Sequence, residues 1–497
     1  MKTEIKTKFR TIVVTVILCT GCSDFLDKPL QGELTQRNFP VTANDALLAT
    51  NAVYNILRVN NYHQGLFPIL DIMSDDGFKG SNPDDASATV GTYDNFSHIA
   101  TEGNISRWWN TLYEGIKRAN VVIEKVPLIE MDAALRSRYI GEAMFLRALF
   151  YFDVVRAWGD VPVITTTTPQ VGMERSPKSD VYNLIIQDLL AAIEALPEKS
   201  DYSAEDLGRA SRGAAKGMLA KVYLFNDDPV NAEKYALEVI NSGQYDLEEN
   251  FEAANSEDGR HGSESLFEIG ALPFENIQSG GDQYANVQGV RGSPNRGWGF
   301  NRPTIDLQDS FEESDPRLDA TVIYLGEVLD GVAILGDGAT PDERKDNNGT
   351  TVEIECYNQK VWTAGIDVPT QFNHNRRMLR YADVLLMAAE ALNVNGKTND
   401  ALVYLNEVRE RARGGNGSVL PDITETNMEL LDDLIFEERR HELAMEGHRL
   451  WDLIRTGRAP EVLGPLGFIS GKHELLPIPQ SEIDLSQGSI SQDPAWE

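Results

Sequence analysis

The feature that most constrains the fold is a helix-pair pattern that occurs twice in alanine-rich segments. In each unit a helix-length stretch with small residues, where helices must approach closely, is followed by a polar break and a second such stretch. The predicted pairs are Ala214–Phe225 with Ala232–Ile240, and Tyr381–Leu392 with Ala401–Arg413. Each unit spans about 34 residues, the period of tetratricopeptide helix hairpins. The pattern therefore predicts a scaffold of helix hairpins.

Two more elaborate pairs precede these units. They are Asp45–Leu57 with Ile105–Lys125, and Ala133–Trp158 with Lys178–Leu196. The Ala133–Trp158 segment carries apolar residues on much of its circumference, which predicts a central, buried helix. Trp109 and Tyr113 lie four residues apart, which favours core packing for both rings. The predicted fold class is mostly α, with a tetratricopeptide-like helix-hairpin scaffold of about four units.

The stretch from Glu248 to Arg376 differs in amino-acid composition from the helix pairs. It is rich in Gly, Asn, Asp, Pro and aromatic residues and holds alternating runs such as TVIYLGEV and TTVEIECY, which indicate loops and short strands. Cys356 alternates with apolar neighbours in the second run and is predicted to be a buried strand thiol. We expect one domain over 22–497, in which a helical scaffold at 40–247 and 376–497 displays an irregular ligand-binding insertion at 248–375.

The N-terminus has the organisation of an export signal. Four basic residues precede an apolar stretch, Thr11–Cys19, which is too short for a transmembrane helix of about 20 apolar residues. Thr20 and Gly21 directly before Cys22 resemble a lipobox, although the usual leucine three residues before the cysteine is Cys19 here. We therefore expect a signal peptide at 1–21 and a lipid on Cys22 that anchors the chain to a membrane.

The composition excludes several classes of function. The formal net charge is −32, so the chain is not basic enough to bind nucleic acid or an anionic membrane surface. The sequence contains no GxSxG elbow, Walker loop or dinucleotide-binding glycine pattern. Among 77 acidic residues, neighbouring carboxylates do not indicate a glycoside hydrolase. We predict no enzymatic activity and no cofactor.

The segment ERRHELAMEGHRLWDLIRTGR, within a helix predicted at Leu430–Thr456, invites a metal hypothesis. Seven residues separate His441 from His448, about 10 Å of helix rise, which is too far for one zinc ion. Ion pairs at i, i+3 spacing are expected instead: Glu446–Arg449, Arg449–Asp452 and Asp452–Arg455. A partial calcium-loop pattern at 344–355 begins with Arg344, which repels a cation, so a solvated turn is predicted there. No metal site is expected.

Several stretches spread over the chain after Cys22 occur in an order that points to one family. They are CSDFLD, GEAMFLRALFYFDVVRAWGDVPVI, RYADVLLMAAEALN, ERRHELAMEGHRLWDLIRTGR and LLPIPQSEI. Together they resemble the SusD/RagB family of outer-membrane nutrient-binding lipoproteins. The resemblance implies a helical scaffold that packs against a transporter and an opposite, irregular face that holds ligand.

The resemblance also implies a location and partners. It implies a lipoprotein that binds oligosaccharide and delivers it to a SusC-like TonB-dependent transporter. Asp24 and Asp27 look like the signal that sends such lipoproteins to the outer face of the outer membrane. Two alternatives stay open: the same scaffold could capture peptides, or the chain could be a tetratricopeptide-type envelope assembly protein without a small ligand.

Sugar binding requires exposed aromatic rings together with planar polar groups, and the irregular segments supply both. Trp298 lies between Gly297 and Gly299, which let the backbone carry a ring outward without steric cost, but a place in the core fits it equally well. Tyr284 lies in a polar stretch, which favours exposure. Both residues are candidate glycan contacts.

The resemblance adds candidates in the first long loop. Phe78 and Tyr93 stand in loops where related proteins place stacking aromatic residues. Asp75, Asp76 and Arg376 are candidate partners for sugar hydroxyls, or alternatively turn acids and surface ion pairs.

Overall fold

The computed structural model of the protein describes residues 39–63, 71–170, 172–271, 283–345, 348–364 and 374–497. The predicted signal peptide at 1–21, the predicted lipid attachment at Cys22, and Asp24 and Asp27 lie outside these residues. Within the described ranges no helix is both long enough and apolar enough to cross a bilayer.

The predicted helix pairs all form. The eight helices of the described scaffold are α1 (Ala43–Tyr54), α2 (Gly103–Lys125), α3 (Ala133–Trp158), α4 (Lys178–Ala195), α5 (Arg212–Phe225), α6 (Pro229–Ile240), α7 (Tyr381–Val394) and α8 (Thr398–Ala412). The two helices of each pair pack on one another, and α2 also contacts α3, α4 contacts α5, and α6 contacts α7. The pairs form one continuous stack, which confirms the mostly α, tetratricopeptide-like scaffold.

Several helices begin and end where local chemistry favours it. Thr42 and Asp45 form a reciprocal capping box at α1, in which Thr42 Oγ1 accepts a hydrogen bond from the Asp45 N–H at 3.1 Å. At the start of α3, Asp132 Oδ1 accepts from the Leu135 N–H at 2.9 Å. Gly159 ends α3 with φ +68°, a conformation that favours glycine.

Helix α3 is the central helix that its apolar circumference predicts. Phe150 is fully buried, and α2 and α4 pack against the helix. Gly115 of α2 lies against the Phe150 ring, where a Cβ built on the glycine would come within 2.6 Å of ring carbon Cε2. Trp109 and Tyr113 pack together with ring centroids 4.9 Å apart, as their spacing predicts. The close packing of α2 against α3 therefore encloses these aromatic side chains.

The insertion, together with the loop between α1 and α2, contributes short strands and loops. Among the described residues the strands form five antiparallel pairs. These are β1 (Gly77–Gly80) with β3 (Phe300–Pro303), β2 (Ser265–Ile269) with β10 (Arg376–Arg380), β4 (Val322–Tyr324) with β9 (Cys356–Asn358), β5 (Val328–Leu329) with β6 (Val332–Ala333), and β7 (Glu343–Lys345) with β8 (Thr351–Ile354). The β2–β10 pair joins the two ends of the insertion, which allows α6 and α7 to pack together. Cys356 in β9 is fully buried, as predicted.

The helix predicted at Leu430–Thr456 is instead two helices, α9 (Met428–Leu443) and α10 (Arg449–Arg455). Met445 at φ +61° and Gly447 at φ +82° have left-handed backbone conformations, which end the α-helical path.

Shorter helical segments in the described chain are Asn55–Arg58, Gly91–Asp94, Val126–Leu128, Lys199–Asp201, Phe251–Asn255, Gln283–Gln288, Ile305–Ser310, Pro316–Asp319, Gln359–Val361, Ala459–Leu463, Gly464–Leu466, Gln480–Leu485 and Pro494–Trp496.

Replacement of Gly115 tests the close approach of α2 and α3. Gly115→Ala should lower the free energy of unfolding by about 1–3 kcal/mol, because the added methyl group meets the Phe150 ring in a packed interface. Gly417→Ala is the matched control, since Gly417 is exposed, its φ lies outside the left-handed region and a Cβ there would meet nothing within 4 Å. Its effect should stay within about 0.5 kcal/mol. Denaturant unfolding followed by circular dichroism measures both, and equal stabilities would contradict the tight contact.

Candidate ligand-binding site

A network of buried ion pairs joins the insertion to the scaffold. At its centre Arg380, the last residue of β10, is 2% exposed. Its Nη2 donates to Glu446 Oε1 at 2.8 Å, and its Nη1 donates to Glu442 Oε1 at 3.0 Å and also to Glu264. Arg411 of α8 pairs with both Glu264 and Glu442. The network therefore holds the β2–β10 pair, α8 and the end of α9 together.

Each ion in this network is compensated by a close partner of opposite charge. Burial by itself raises the pKa of Glu446, yet Arg380 and Lys360 hold that pKa well below its ordinary value. Lys360 Nζ lies 2.7 Å from Glu446 Oε1, and the fully buried Arg317 donates from Nη1 to Glu438 Oε1 at 2.6 Å. Loss of one partner of such a buried pair costs about 3–5 kcal/mol, because the other charge is left uncompensated.

The break between α9 and α10 decides which ion pairs form. Asp452 and Arg455 make the predicted i, i+3 pair, with Arg455 Nε 2.7 Å from Asp452 Oδ1. The other two predicted pairs are wrong, because the turn directs Glu446 into the buried network and Arg449 toward Asp75. The charged segment is therefore a junction between the scaffold and the loops, and its side chains do not pair only along one helix.

Two arginines of this junction hold the first long loop, residues 71–102. Arg449 Nε and Nη2 donate to the two oxygens of Asp75 at 2.9 and 2.8 Å, a bidentate geometry. Arg440 Nε donates to Asp76 Oδ1 at 2.7 Å. Asp75 and Asp76 are 7% and 1% exposed, so their ion pairs are buried and not at the surface. Asp75 also lines the cleft described below, and contact of these two acids with sugar hydroxyls stays a prediction. Their role in this structure is to fix the start of β1.

Strands β1 and β3 bring together the segments that contain two candidate residues, Phe78 and Trp298. β1 lies in SDDGFKGSN and β3 in SPNRGWGFNRP, and Phe78 stands opposite Arg302 in the antiparallel register. Gly77 allows the strands to approach, since a Cβ there would lie 2.7 Å from Asn301 Oδ1. Phe78 is half-buried and lines a cleft at this point.

The cleft beside Phe78 has a volume of about 570 Å³. It lies between the first long loop, the residues after β3, the β7–β8 hairpin and the helical segments after α10, and we call it the Phe78 cleft. Its apolar lining includes Val352 and Leu466, which are 38% and 42% exposed. Its polar lining includes Asp94, Asp306, Arg344 and Glu353. An aromatic ring among aliphatic and polar groups suits a small polar ligand.

The polar groups of the Phe78 cleft are mostly acidic. Asp94 Oδ1 accepts a hydrogen bond from the backbone N–H of Lys79 at 2.6 Å, and burial raises the pKa of Asp94 to about 7. The Arg344 guanidinium pairs with Glu353 across the β7–β8 hairpin. The cleft therefore offers hydrogen-bond acceptors to hydroxyl groups and disfavours anionic ligands.

Tyr284 and Arg376 lie in the core and not in the cleft. Tyr284 and Arg376 are each 5% exposed, and the guanidinium carbon of Arg376 lies 4.9 Å from the Tyr284 ring centroid. The predicted exposure of Tyr284 is wrong, because its polar stretch forms the helix Gln283–Gln288, which packs the ring inward. The Tyr284 hydroxyl lies 3.4 Å from the Met445 carbonyl oxygen, next to the turn between α9 and α10.

Tyr93 and Trp298 also pack inward. Tyr93 is fully buried and stacks on His98 with centroids 5.0 Å apart, which corrects the prediction of a ring available to ligand. Trp298 is half-buried against the main hydrophobic core, and its backbone N–H donates to the Asn286 carbonyl oxygen at 2.9 Å. The sequence left two interpretations of Trp298 open, a ligand contact and a place in the core. The structure shows the contact with the core, and ligand contact by Trp298 stays a prediction.

Four charged residues of the cleft were not among the candidates. Asp94 directly follows the candidate Tyr93 in the sequence GTYDNF, so an acid next to a candidate aromatic residue was a usable signal. Asp306, Arg344 and Glu353 carry no such signal, because only the folded insertion brings the β7–β8 hairpin and the residues after β3 to Phe78.

The fold and the cleft together define a class: a stack of helix pairs whose irregular insertion presents a ligand site. Residues 263–466 match the family model described as SusD family, and residues 24–224 match the model described as starch-binding associating with outer membrane. SusD-like protein P2 of Formosa agariphila is 30% identical, with 98% of this chain and 99% of that protein covered. A SusD-like protein of Bacteroides ovatus is 28% identical over 91% of this chain and 83% of that protein. The chain belongs to the SusD family.

Solved structures share the whole architecture. A laminarin-binding SusD-like protein has a TM-score of 0.77 at 30% identity, covering 91% of this chain and 99% of that one. Surface glycan-binding protein A from Bacteroides thetaiotaomicron, in complex with laminarihexaose, has a TM-score of 0.77 at 26% identity, with the same coverage of 91% and 99%. The family description associates such proteins with the outer membrane.

Replacement of Arg449 tests the attachment of the first long loop. Arg449→Lys should lower the free energy of unfolding by about 1–3 kcal/mol, because an ammonium group cannot reproduce the bidentate bond to the buried Asp75. Arg458→Lys is the matched control: its side chain is 28% exposed and pairs with exposed carboxylates, so a change below about 1 kcal/mol is expected. Urea unfolding compares the two variants. A loss for Arg458→Lys as large as that for Arg449→Lys would contradict this assignment.

Proposed function

We propose that this protein binds a neutral oligosaccharide in the Phe78 cleft, at the outer face of the outer membrane, and delivers it to a SusC-like TonB-dependent transporter. The observation that carries the proposal is a half-buried aromatic ring that lines a cleft rich in hydrogen-bond acceptors. Two structural neighbours support it, since one is named as laminarin binding and another is in complex with laminarihexaose.

The cleft offers the two kinds of group that recognise a pyranose. An aromatic face covers the apolar C–H side of the sugar, and Val352 and Leu466 extend this apolar surface beyond Phe78. Carboxylates accept hydrogen bonds from sugar hydroxyls, and Glu353 and Asp94 both line the cleft. Because burial raises the pKa of Asp94 to about 7, this carboxyl both donates and accepts near neutral pH.

The charge of the site favours neutral over anionic glycans. Asp94, Asp306 and Glu353 are acidic, and Arg344 is already paired with Glu353. The chain as a whole carries a formal net charge of −32, which repels polyuronates and sulfated polysaccharides at low ionic strength. A neutral glucan such as laminarin meets no such repulsion.

We infer that binding occurs without bond cleavage. The sequence lacks the motifs of common hydrolase classes, and the solved neighbours named above are described as binding proteins. Incubation of the purified protein with laminarin should release no reducing ends. Their appearance at a rate abolished by Asp94→Asn would overturn this part of the proposal.

Replacement of Phe78 tests the site. Phe78→Ala should weaken binding of laminarihexaose about tenfold, because it removes the aromatic surface that stacks on the sugar. Isothermal titration calorimetry measures the affinity, and gel electrophoresis through laminarin measures retention on the polymer. Tyr404→Ala is the matched control, since this half-buried ring lies on α8 of the scaffold. Unfolding midpoints of both variants show whether a loss of binding reflects a loss of fold.

A ligand panel separates the proposal from its alternatives. The wild-type protein should bind neutral glucans and leave alginate, a polyuronate, unbound. Binding of mixed oligopeptides alone would favour peptide capture, and the absence of any ligand-dependent thermal shift would favour an assembly protein. Wild-type affinity in Phe78→Ala would refute the Phe78 cleft as the site.

Replacement of Cys22 tests the anchor and the partner. Cys22→Ser should move the protein from the outer-membrane fraction to the soluble fraction, because the predicted lipid attachment is lost. Wild-type protein extracted in detergent should co-purify with a TonB-dependent barrel. External protease should cleave the wild-type protein on intact cells. A Cys22→Ser variant that stays in the membrane fraction would contradict lipid anchoring.

A further inference from the structure

The insertion contains a second cleft with an aromatic residue, on a part of the surface separate from the Phe78 cleft. It has a volume of about 310 Å³, at the small end of the range of about 300–1,000 Å³ for ligand pockets. It is formed by the helix Phe251–Asn255 and the residues after it, the β5–β6 turn at Asp330, and the segment Gln359–Ala364. Among the described residues, none lines both clefts.

Two aromatic residues line this second cleft, the buried Phe251 and the half-buried Trp362, and the Trp362 ring is held in place. Its Nε1 donates to Asp330 Oδ2 at 2.6 Å. The guanidinium carbon of Arg296 lies 5.1 Å from the ring centroid, and the indole also packs against a small hydrophobic cluster that includes Ile323 and Tyr357. The ring remains half-buried and its open part lines the cleft. A fixed indole loses little conformational entropy when a ligand packs on it.

Polar side chains of the kind that bind sugar hydroxyls surround this ring. Gln359 and Asn255 contribute amide groups, and Glu257 and Asp258 contribute carboxyl groups. Asn255 Nδ2 lies 3.3 Å from Glu446 Oε1, so the buried ion network also fixes one wall of the cleft. The set combines an aromatic surface with planar acceptors and donors, as in the Phe78 cleft.

We infer that the Trp362 cleft is a second binding site for neutral sugar residues on the same chain. The inference rests on the proposed function, because it takes the ligand class from the Phe78 cleft. A polysaccharide that reaches both clefts is held at two points, so that the second contact forms at a high effective concentration. The chain therefore retains a polymer more strongly than a short oligosaccharide.

Laminarin and laminarihexaose are the probes that test this inference. Trp362→Ala should reduce retention on laminarin about tenfold. It should also reduce the number of laminarihexaose molecules bound per chain in calorimetry from two to one, while the affinity of the remaining site stays that of the Phe78 cleft. Trp362→Phe should retain part of the polymer binding because it keeps an aromatic ring. Trp496→Ala is the matched control, since this half-buried tryptophan lies near the C-terminus and lines neither cleft.

A second variant keeps the inference testable if Trp362→Ala fails to fold. Asp258 is exposed and lines the cleft, so Asp258→Ala should lower retention on laminarin without a change in the unfolding midpoint. Wild-type stoichiometry and retention in both Trp362→Ala and Asp258→Ala would overturn the second site and leave the proposed function standing. A wild-type protein that binds neither probe and no other neutral glucan would refute the proposed function itself, and the second site with it.

Discussion

The buried ion pairs around Arg380 are the interaction on which the rest of the structure depends. Arg380 and Lys360 are almost fully enclosed, and their charges are stable there only because Glu264, Glu442 and Glu446 lie within hydrogen-bonding distance. These residues come from the insertion, from its end at β10, from α9 and from the turn between α9 and α10. A displacement of any of these segments would leave a buried charge without its partner, so the network fixes their mutual position.

This constraint explains how a helical stack can display irregular loops in a defined arrangement. The insertion leaves the scaffold after α6 and returns before α7, and the β2–β10 pair closes it at the base, so α6 and α7 pack as if they were consecutive. From the same junction Arg449 reaches the first long loop through Asp75. The buried ion pairs also fix one wall of each cleft, through Asn255 in the Trp362 cleft and Asp75 in the Phe78 cleft.

The sequence located the segments that line the Phe78 cleft better than the individual residues that line it. Phe78 lines a cleft, whereas Tyr284 and Tyr93 are buried although their neighbours are polar. A polar stretch of sequence still has an inward side when it folds as a helix, and the side is chosen by contacts such as that between Tyr284 and Arg376. Trp362 carried no distinguishing signal, because its opening to solvent depends on residues more than 30 positions away, such as Asp330.

The sequence by itself determined the helix pairs, their order and the place of the insertion, because small and apolar residues at helical spacing are local signals. It also determined the family, since the matching stretches run along the whole chain. Only the tertiary structure decided the break between α9 and α10, the partners of Glu446 and Arg449, and the identity of the cleft residues. Those outcomes depend on contacts between charged groups and between surfaces that lie far apart in the sequence. No single segment of the chain encodes such a contact.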